Sequence, residues 1–296
     1  MTESGVNLDS FRALYPFESR FLDVGGIRYH YVDEGQEEPL VMLHGNPTWS
    51  FYYRNLILGM RGHYRVVAPD HIGCGLSDKP QDYDYTLERH IANLEALIQR
   101  LELKKITLVM HDWGGPIGMG YAVRHPNNVK RFVVFNTAAF WSPRIPLILR
   151  LCRVPLLGSL AIRGLNLFAR LATVIACCHP ERMTKEVKAG YLLPYDSHAS
   201  RIAILRFVQD IPVDSRHPSF PLLRSIENGL VQFQRYPMII IWGARDPVFT
   251  LPLLESWEKR FPHAAVKRID DAGHYVVEDA YERIIPWVEE FLEKTA

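Results

Sequence analysis

Short apolar runs alternate with helical periods along most of this chain. Eight runs have the length and apolar character of strands, at residues 21–24, 27–32, 40–43, 65–68, 106–110, 131–135, 238–242 and 266–269. Three segments read as helices, at 85–101, 115–125 and 279–293. In the first of them Ile91, Leu94, Leu97 and Ile98 recur at helical spacing. Strand runs separated by helices predict a mostly parallel sheet with crossover helices, because parallel neighbours need a long connection. The first two runs flank Gly25-Gly26 and predict a hairpin.

The alternation stops between about Thr137 and Gly229. Leu, Ile, Ala and Arg dominate there, and no run has strand character. The stretch reads as a helical insertion between the strand at 131–135 and the one at 238–242. Open α/β sheets carry their sites beyond the carboxyl ends of the strands, so an insertion at that edge lies over the site as a cap. The expected division is a core domain, 1–136 with 230–296, and a helical cap domain, 137–229.

A length of 296 residues suits one large domain with an insertion. An apolar fraction of 48% and a charged fraction of 23% are ordinary for a globular enzyme, and a net charge of +1 gives no reason to expect nucleic acid. Cys74, Cys152, Cys177 and Cys178 lack metal-site spacing, and they are expected to be reduced, buried and small apolar in behaviour. Residues 1–12 are polar and of mixed charge, without the apolar core of a signal peptide, which points to the cytoplasm.

The candidate chemistry gathers in loops after strands. The run at 106–110 leads into His111-Asp112-Trp113-Gly114-Gly115 and then a helix. Strand, tight glycine turn and helix make the setting of a nucleophile elbow, with aspartate at its apex where an esterase has serine. A carboxylate there attacks carbon through oxygen and leaves an ester on the enzyme. That favours displacement at an alkyl carbon over acyl transfer. Asp at a strand–helix junction is also a common N-cap; the neighbouring glycines and the matching loops decide for the nucleophile.

After 40–43, His44-Gly45-Asn46-Pro47 forms a turn whose backbone N–H groups face the site, with the Asn46 amide as a further donor. Trp113 adds an indole N–H, which only donates. Two neutral donors with no Lys or Arg beside them suit a soft anion that leaves with modest charge. After 238–242 stands Asp246, before Pro247; after 266–269 stands His274, in a Gly-His turn. Nucleophile Asp112, acid Asp246 and base His274 follow the α/β-hydrolase chain order. A histidine takes a proton from water near neutral pH, and its carboxylate partner fixes the tautomer. Asn136 also ends a strand, but an amide cannot serve as the acid. Asp70 and Asp78 read as structural turn residues.

At these residues the chain resembles the haloalkane dehalogenases of the α/β-hydrolase superfamily. The matching runs are His44-Gly45-Asn46-Pro47, Asp70-His71-Ile72-Gly73-Cys74-Gly75-Leu76-Ser77, the Asp112 run and Gly273-His274. His-Asp-Trp-Gly-Gly is shared with epoxide hydrolases, whereas Asn46 matches the halide-binding Asn of dehalogenases. Asn46, Trp113 and Asp246 together, with Asn136 where another subfamily carries Glu, are similar to the third dehalogenase subfamily. That subfamily also holds the β-lactone decarboxylases of long-chain olefin biosynthesis, and residues 201–212 look like both groups.

The resemblance implies an α/β-hydrolase fold, a mostly parallel central sheet with a helical cap domain. It implies no metal and no organic cofactor. Its first reading is hydrolytic dehalogenation. Asp112 displaces halide, Asn46 and Trp113 hold the departing ion, and His274 activates the water that hydrolyses the aspartyl ester. The implied partners are a small hydrophobic substrate, water and a halide ion. The alternatives are β-lactone decarboxylation, epoxide hydrolysis, and a binding protein that keeps the fold without the chemistry. The complete triad argues against the last.

Residues 141–180 contain no Asp or Glu, and Arg144, Arg150, Arg153, Arg163 and Arg170 interrupt a very apolar run. Its uncharged pieces fall far short of the ~20 residues that span a bilayer. Cap helices turned towards the core are expected. The alternatives are a contact between copies of the chain or a basic amphipathic membrane surface.

Overall fold

The computed structural model describes residues 11–296, so most of the N-terminal segment read above lies outside the described residues. Eight strands form one sheet: β1 (Arg20–Asp23), β2 (Arg28–Glu34), β3 (Pro39–Leu43), β4 (Arg65–Pro69), β5 (Ile106–Met110), β6 (Val129–Val134), β7 (Met238–Gly243) and β8 (Ala265–Ile269). Their order is β1-β2-β4-β3-β5-β6-β7-β8. β2 runs antiparallel to β1 and β4; every other pairing is parallel. All eight predicted strands are present, with ends within two residues of expectation. The predicted hairpin turns at Gly25 and Gly26, both at positive φ.

Three helices precede β6: α1 (Arg54–Met60), α2 (Leu87–Arg100) and α3 (Gly114–Arg124). Six lie between β6 and β7: α4 (Leu147–Cys152), α5 (Pro155–Gly158), α6 (Leu167–Ile175), α7 (Lys185–Leu192), α8 (Ile202–Gln209) and α9 (Phe220–Gly229). α10 (Leu251–Arg260) follows β7 and α11 (Val276–Lys294) follows β8.

β3, β5 and β7 are buried along almost their whole length, as parallel strands covered on both faces must be. Alternation sorts their side chains. Val41, Leu43, Leu108, Met110 and Ile240 join one apolar cluster with α2, α3 and α10. Leu40, Met42, Val109, Ile239 and Ile241 join another with α1 and α11. α2 begins where the Thr86 hydroxyl accepts the Arg89 N–H at 3.4 Å, a side-chain cap on its first turn. On the other face, Arg54 of α1 and Glu278 of α11 form a buried two-point ion pair at 2.6 and 2.7 Å, and Tyr191 of α7 donates to the same carboxylate at 2.8 Å. That buried network fastens the insertion to the sheet layer.

Among the described residues no strand lies between Thr137 and Gly229. The insertion has a small core of its own, including Cys152, Ile162, Tyr195, Ile204 and Val208. Its first half departs from the expected inward-facing arrangement. Of the fourteen large apolar side chains exposed among the described residues, twelve lie between Leu147 and Ile175. The cause is geometric. α4, α5 and α6 are short, and the piece Pro155–Gly164 meets Leu167–Ile175 at 69°. A helix that is apolar all round can bury only the side that meets a neighbour. The cysteines are free thiols as expected, but Cys178 is only half-buried.

Candidate active site

β5 ends at Met110, and the chain turns through Asp112, at φ +48°, into α3. Asp tolerates this left-handed conformation better than most residues. The turn also needs room. A Cβ on Gly114 would lie 2.0 Å from the Leu43 carbonyl oxygen, and one on Gly45 would lie 2.1 Å from Asp112 Oδ1. The two glycines let the β3 and β5 loops touch. Across that contact the Asn46 backbone N–H donates to Asp112 Oδ1 at 2.6 Å. The Trp113 backbone N–H donates to the same carboxylate. Asp112 thus has its carboxylate held by main-chain donors, with the Asn46 N–H on Oδ1, as in an oxyanion hole.

The second oxygen, Oδ2, faces His274 Nε2 at 4.0 Å. His274 Nδ1 lies 2.8 Å from Asp246 Oδ2. Burial pushes the Asp112 carboxyl above its ordinary pKa, and the His274 charge with the two backbone donors offsets only part of this. Burial also disfavours charge on His274, but the carboxylates of Asp246 and Asp112 outweigh it, so the imidazole is raised overall. The structure therefore brings Asp112, His274 and Asp246 into one row.

Asp246 is fully engaged. Its Oδ1 accepts the Val248 and Phe249 N–H groups at 2.7 and 3.0 Å, and its Oδ2 accepts Asn136 Nδ2 at 2.9 Å. Sequence reasoning assigns Asn136 no role. Here its side-chain amide donates also to the Gly243 carbonyl at 3.0 Å and accepts the Gly243 N–H at 2.8 Å, while its main-chain carbonyl accepts the Asp112 N–H at 3.0 Å. One residue at the end of β6 thereby ties the β5 loop to the β7 loop. Asp279 is likewise missed by the sequence. It accepts the Gly273 N–H at 2.7 Å, the His179 N–H at 3.0 Å and the Cys177 thiol at 2.7 Å. It fixes the turn before His274 against the insertion. His111 Nε2 donates to the His274 carbonyl at 2.8 Å from below. The only sequence signal for these three is their position beside a site loop.

A cavity of about 140 Å³ opens above Asp112. Eighteen residues line it, and of these only Asp112 and Arg144 carry charge. Trp113 stands on its wall, and among the described residues no protein acceptor takes the indole N–H. The ring packs against Phe207 at 5.1 Å. Asn46 is placed differently from Trp113. Its amide nitrogen donates to the Ile204 carbonyl of α8 at 3.1 Å, and its buried Oδ1 has no partner among the described residues. Only its main-chain N–H is directed at Asp112.

The family model of the alpha/beta hydrolase fold matches residues 38–157 and 181–281. The chain belongs to the α/β-hydrolases. This α/β-hydrolase is 46% identical over 288 residues to a cis-3-alkyl-4-alkyloxetan-2-one decarboxylase of Shewanella oneidensis, with 95% of this chain and 90% of the other covered. It is 32% identical over 275 residues to haloalkane dehalogenase 2 of Mycobacterium tuberculosis, covering 92% and 93%. The crystal structure of a haloalkane dehalogenase variant from Agrobacterium tumefaciens matches it with a TM-score of 0.85 at 26% identity, covering 95% and 99%. The expected resemblance and fold class are both present. Of the three reactions read from the sequence, the one taken first, dehalogenation, belongs to the less similar of these two relatives, and the first alternative, β-lactone decarboxylation, to the more similar.

Proposed function

We propose that this α/β-hydrolase converts a cis-3,4-dialkyl β-lactone to a cis alkene and carbon dioxide, with Asp112 as nucleophile and His274 and Asp246 as its supporting pair. The observation that carries this reading over dehalogenation is the direction of Asn46. Its amide nitrogen spends one of its two N–H groups on the Ile204 carbonyl, and Asn46 is not among the residues that line the cavity above Asp112. The 46% identity to a lactone decarboxylase, against 32% to a dehalogenase, supports the same choice. The apolar cavity suits two alkyl substituents, and residues 137–229 serve as the cap that covers it.

The reaction balances without water or cofactor. Asp112 Oδ2 attacks ring carbon 4; the new C–O bond forms as the bond from that carbon to the ring oxygen breaks. The ring oxygen leaves as part of a carboxylate on carbon 3, and carbon 4 is inverted. The carboxylate then departs as carbon dioxide. The electron pair of its C–C bond becomes the alkene π bond, and the bond to Asp112 breaks, returning its pair to the carboxylate. Inversion followed by departure from opposite sides preserves the cis relation. The Asn46 and Trp113 main-chain N–H groups stabilise Asp112 as it leaves, and the Trp113 indole donates to the carboxylate released by ring opening. His274, favoured as a cation by its two carboxylate neighbours, holds charge beside Oδ2 and transfers no proton.

Turnover of a cis-β-lactone in ¹⁸O-water tests the scheme. Alkene should accumulate while the peptide bearing Asp112 keeps its natural mass. Label in Asp112 after many turnovers means that water attacks the ester, which is the hydrolytic reading. Dehalogenation stands as the second reading because Trp113 presents its indole N–H at the cavity wall beside Asp112.

A further inference from the structure

We propose that the face built from α4, α5, the π-helical turn Ser159–Gly164 and α6 docks on an anionic lipid surface and brings the mouth of the cavity to the bilayer. This role of the face is independent of which reaction Asp112 performs.

The first observation is exposed apolar surface. Leu156 is 88% exposed, Leu147 71%, Val174 62% and Leu160 61%. Twelve exposed large apolar side chains between Leu147 and Ile175 are far beyond the scattered apolar residues of an ordinary surface, and such concentrations mark contacts. No single described helix is long and apolar enough to cross a membrane, and the two helical pieces meet at 69°. Short, bent, apolar pieces suit insertion into the headgroup boundary rather than passage through the bilayer.

The second observation is charge. Residues 141–180 carry five arginines and no acid. Three of the five donate to protein acceptors: Arg153 caps the carbonyls of Val208, Gln209 and Ile211, Arg163 holds the His198 carbonyl and Gln81, and Arg150 reaches the Pro143 carbonyl of its own segment at 3.3 Å. Arg144, Arg150 and Arg170 are exposed, and among the described residues no carboxylate pairs with any of them. Apolar side chains interleaved with unanswered guanidinium groups match the two layers of an anionic membrane surface, acyl chains and phosphates. A second copy of the chain fits less well. A two-fold contact sets a patch against itself, and here it would set arginines against arginines with no acid between them.

The third observation is continuity with the site. Ile145, Pro146 and Leu149 line the cavity and belong to the same run as the exposed face. A substrate dissolved in the bilayer therefore has an apolar path to Asp112.

The test is flotation of the purified full chain with vesicles of phosphatidylcholine alone and of phosphatidylcholine mixed with phosphatidylglycerol. The chain should float with the mixed vesicles, and added salt should release it. Leu156→Asp with Leu160→Asp should abolish flotation while leaving the melting temperature and the turnover of dissolved substrate unchanged. Arg150→Gln with Arg170→Gln, a pair that leaves the apolar packing intact, should lower the partition constant roughly tenfold or more. Absence of flotation with either vesicle overturns the proposal. So does flotation unaffected by both variants. A micromolar dimer in light scattering that Leu156→Asp dissociates assigns the face to a second copy and also overturns it.

Discussion

Replacing Asn46 with Ala separates the two reactions, because the structure gives this residue two different jobs. Its main-chain N–H holds Asp112 Oδ1 at 2.6 Å and survives the substitution. Its side chain makes one neutral hydrogen bond, to the Ile204 carbonyl at 3.1 Å, and buries an Oδ1 with no partner among the described residues. Losing such a bond costs about 1 kcal/mol, and removing an unsatisfied buried acceptor returns about 1–3 kcal/mol. The two nearly cancel, so the melting temperature should barely move. Alkene formation from a cis-β-lactone should fall by no more than about tenfold, the kinetic equivalent of that one bond. Bromide release from a bromoalkane, where the amide would have to solvate the departing ion, should fall roughly a hundredfold. Gas chromatography of alkene, ion chromatography of bromide and a thermal melt read the three quantities. A hundredfold loss of alkene formation with an unchanged melt would mean that the amide touches the reacting atoms, and the assignment of Asn46 as scaffold would fail.

Four further outcomes rest on the same geometry. Asp112→Asn should abolish turnover and raise the melting temperature at pH 7, because burial disfavours the Asp112 charge; the folded-state pKa is raised, so the gain should vanish in acid where Asp112 is protonated in both states. Asp246→Asn should lower alkene formation roughly 10–150-fold, the worth of one charge-assisted hydrogen bond, whereas a route needing His274 as base should lose about 10⁴-fold; steady-state kinetics distinguishes them. The pH profile of alkene formation should rise through the raised pKa of Asp112, above 3.8, and decline on the alkaline side through that of His274, above 6.5; a rate that instead rises as His274 loses its proton would indicate a general base. Asn136→Ala should cut kcat about tenfold with KM unchanged, since it removes one donor from Asp246; a change confined to KM would show that Asn136 shapes the cavity instead.

The sheet and the loops that carry Asp112, Asp246 and His274 are legible because long apolar runs and glycine turns are local signals. Helices α1 and α10 are not: α1 has seven residues, and α10 opens with proline at its first turn, so neither shows a clear period. The facing of α4 to α6 escapes the sequence because a segment apolar on every side contains no direction. Side-chain aim is beyond reach for a different reason. Asn46 turns towards Ile204, 158 positions away, and Asn136 reaches Asp246 across 110. Residue type announces that a donor exists, but which acceptor it meets is decided by packing between distant elements.

That distinction bears on the chemistry, since in the proposed scheme one row of Asp112, His274 and Asp246 serves either reaction up to the ester. The fate of the ester depends on the group attached to it. An ester from a haloalkane has no internal way out and must wait for a water that His274 deprotonates. An ester from a β-lactone carries its own carboxylate two bonds from the carbon bound to Asp112. Its collapse is unimolecular and needs no second reactant at the ester. An apolar wall with Asp112 and Arg144 as its only charges then works in opposite senses. It offers few polar partners to a hydrolytic water, and it leaves the decarboxylating carboxylate with few polar partners, which favours loss of its charge as carbon dioxide. The lactone reading therefore asks nothing of the cavity that its lining does not supply, whereas the halide reading needs a water at the ester and a donor from Asn46, which is not among the residues lining the cavity.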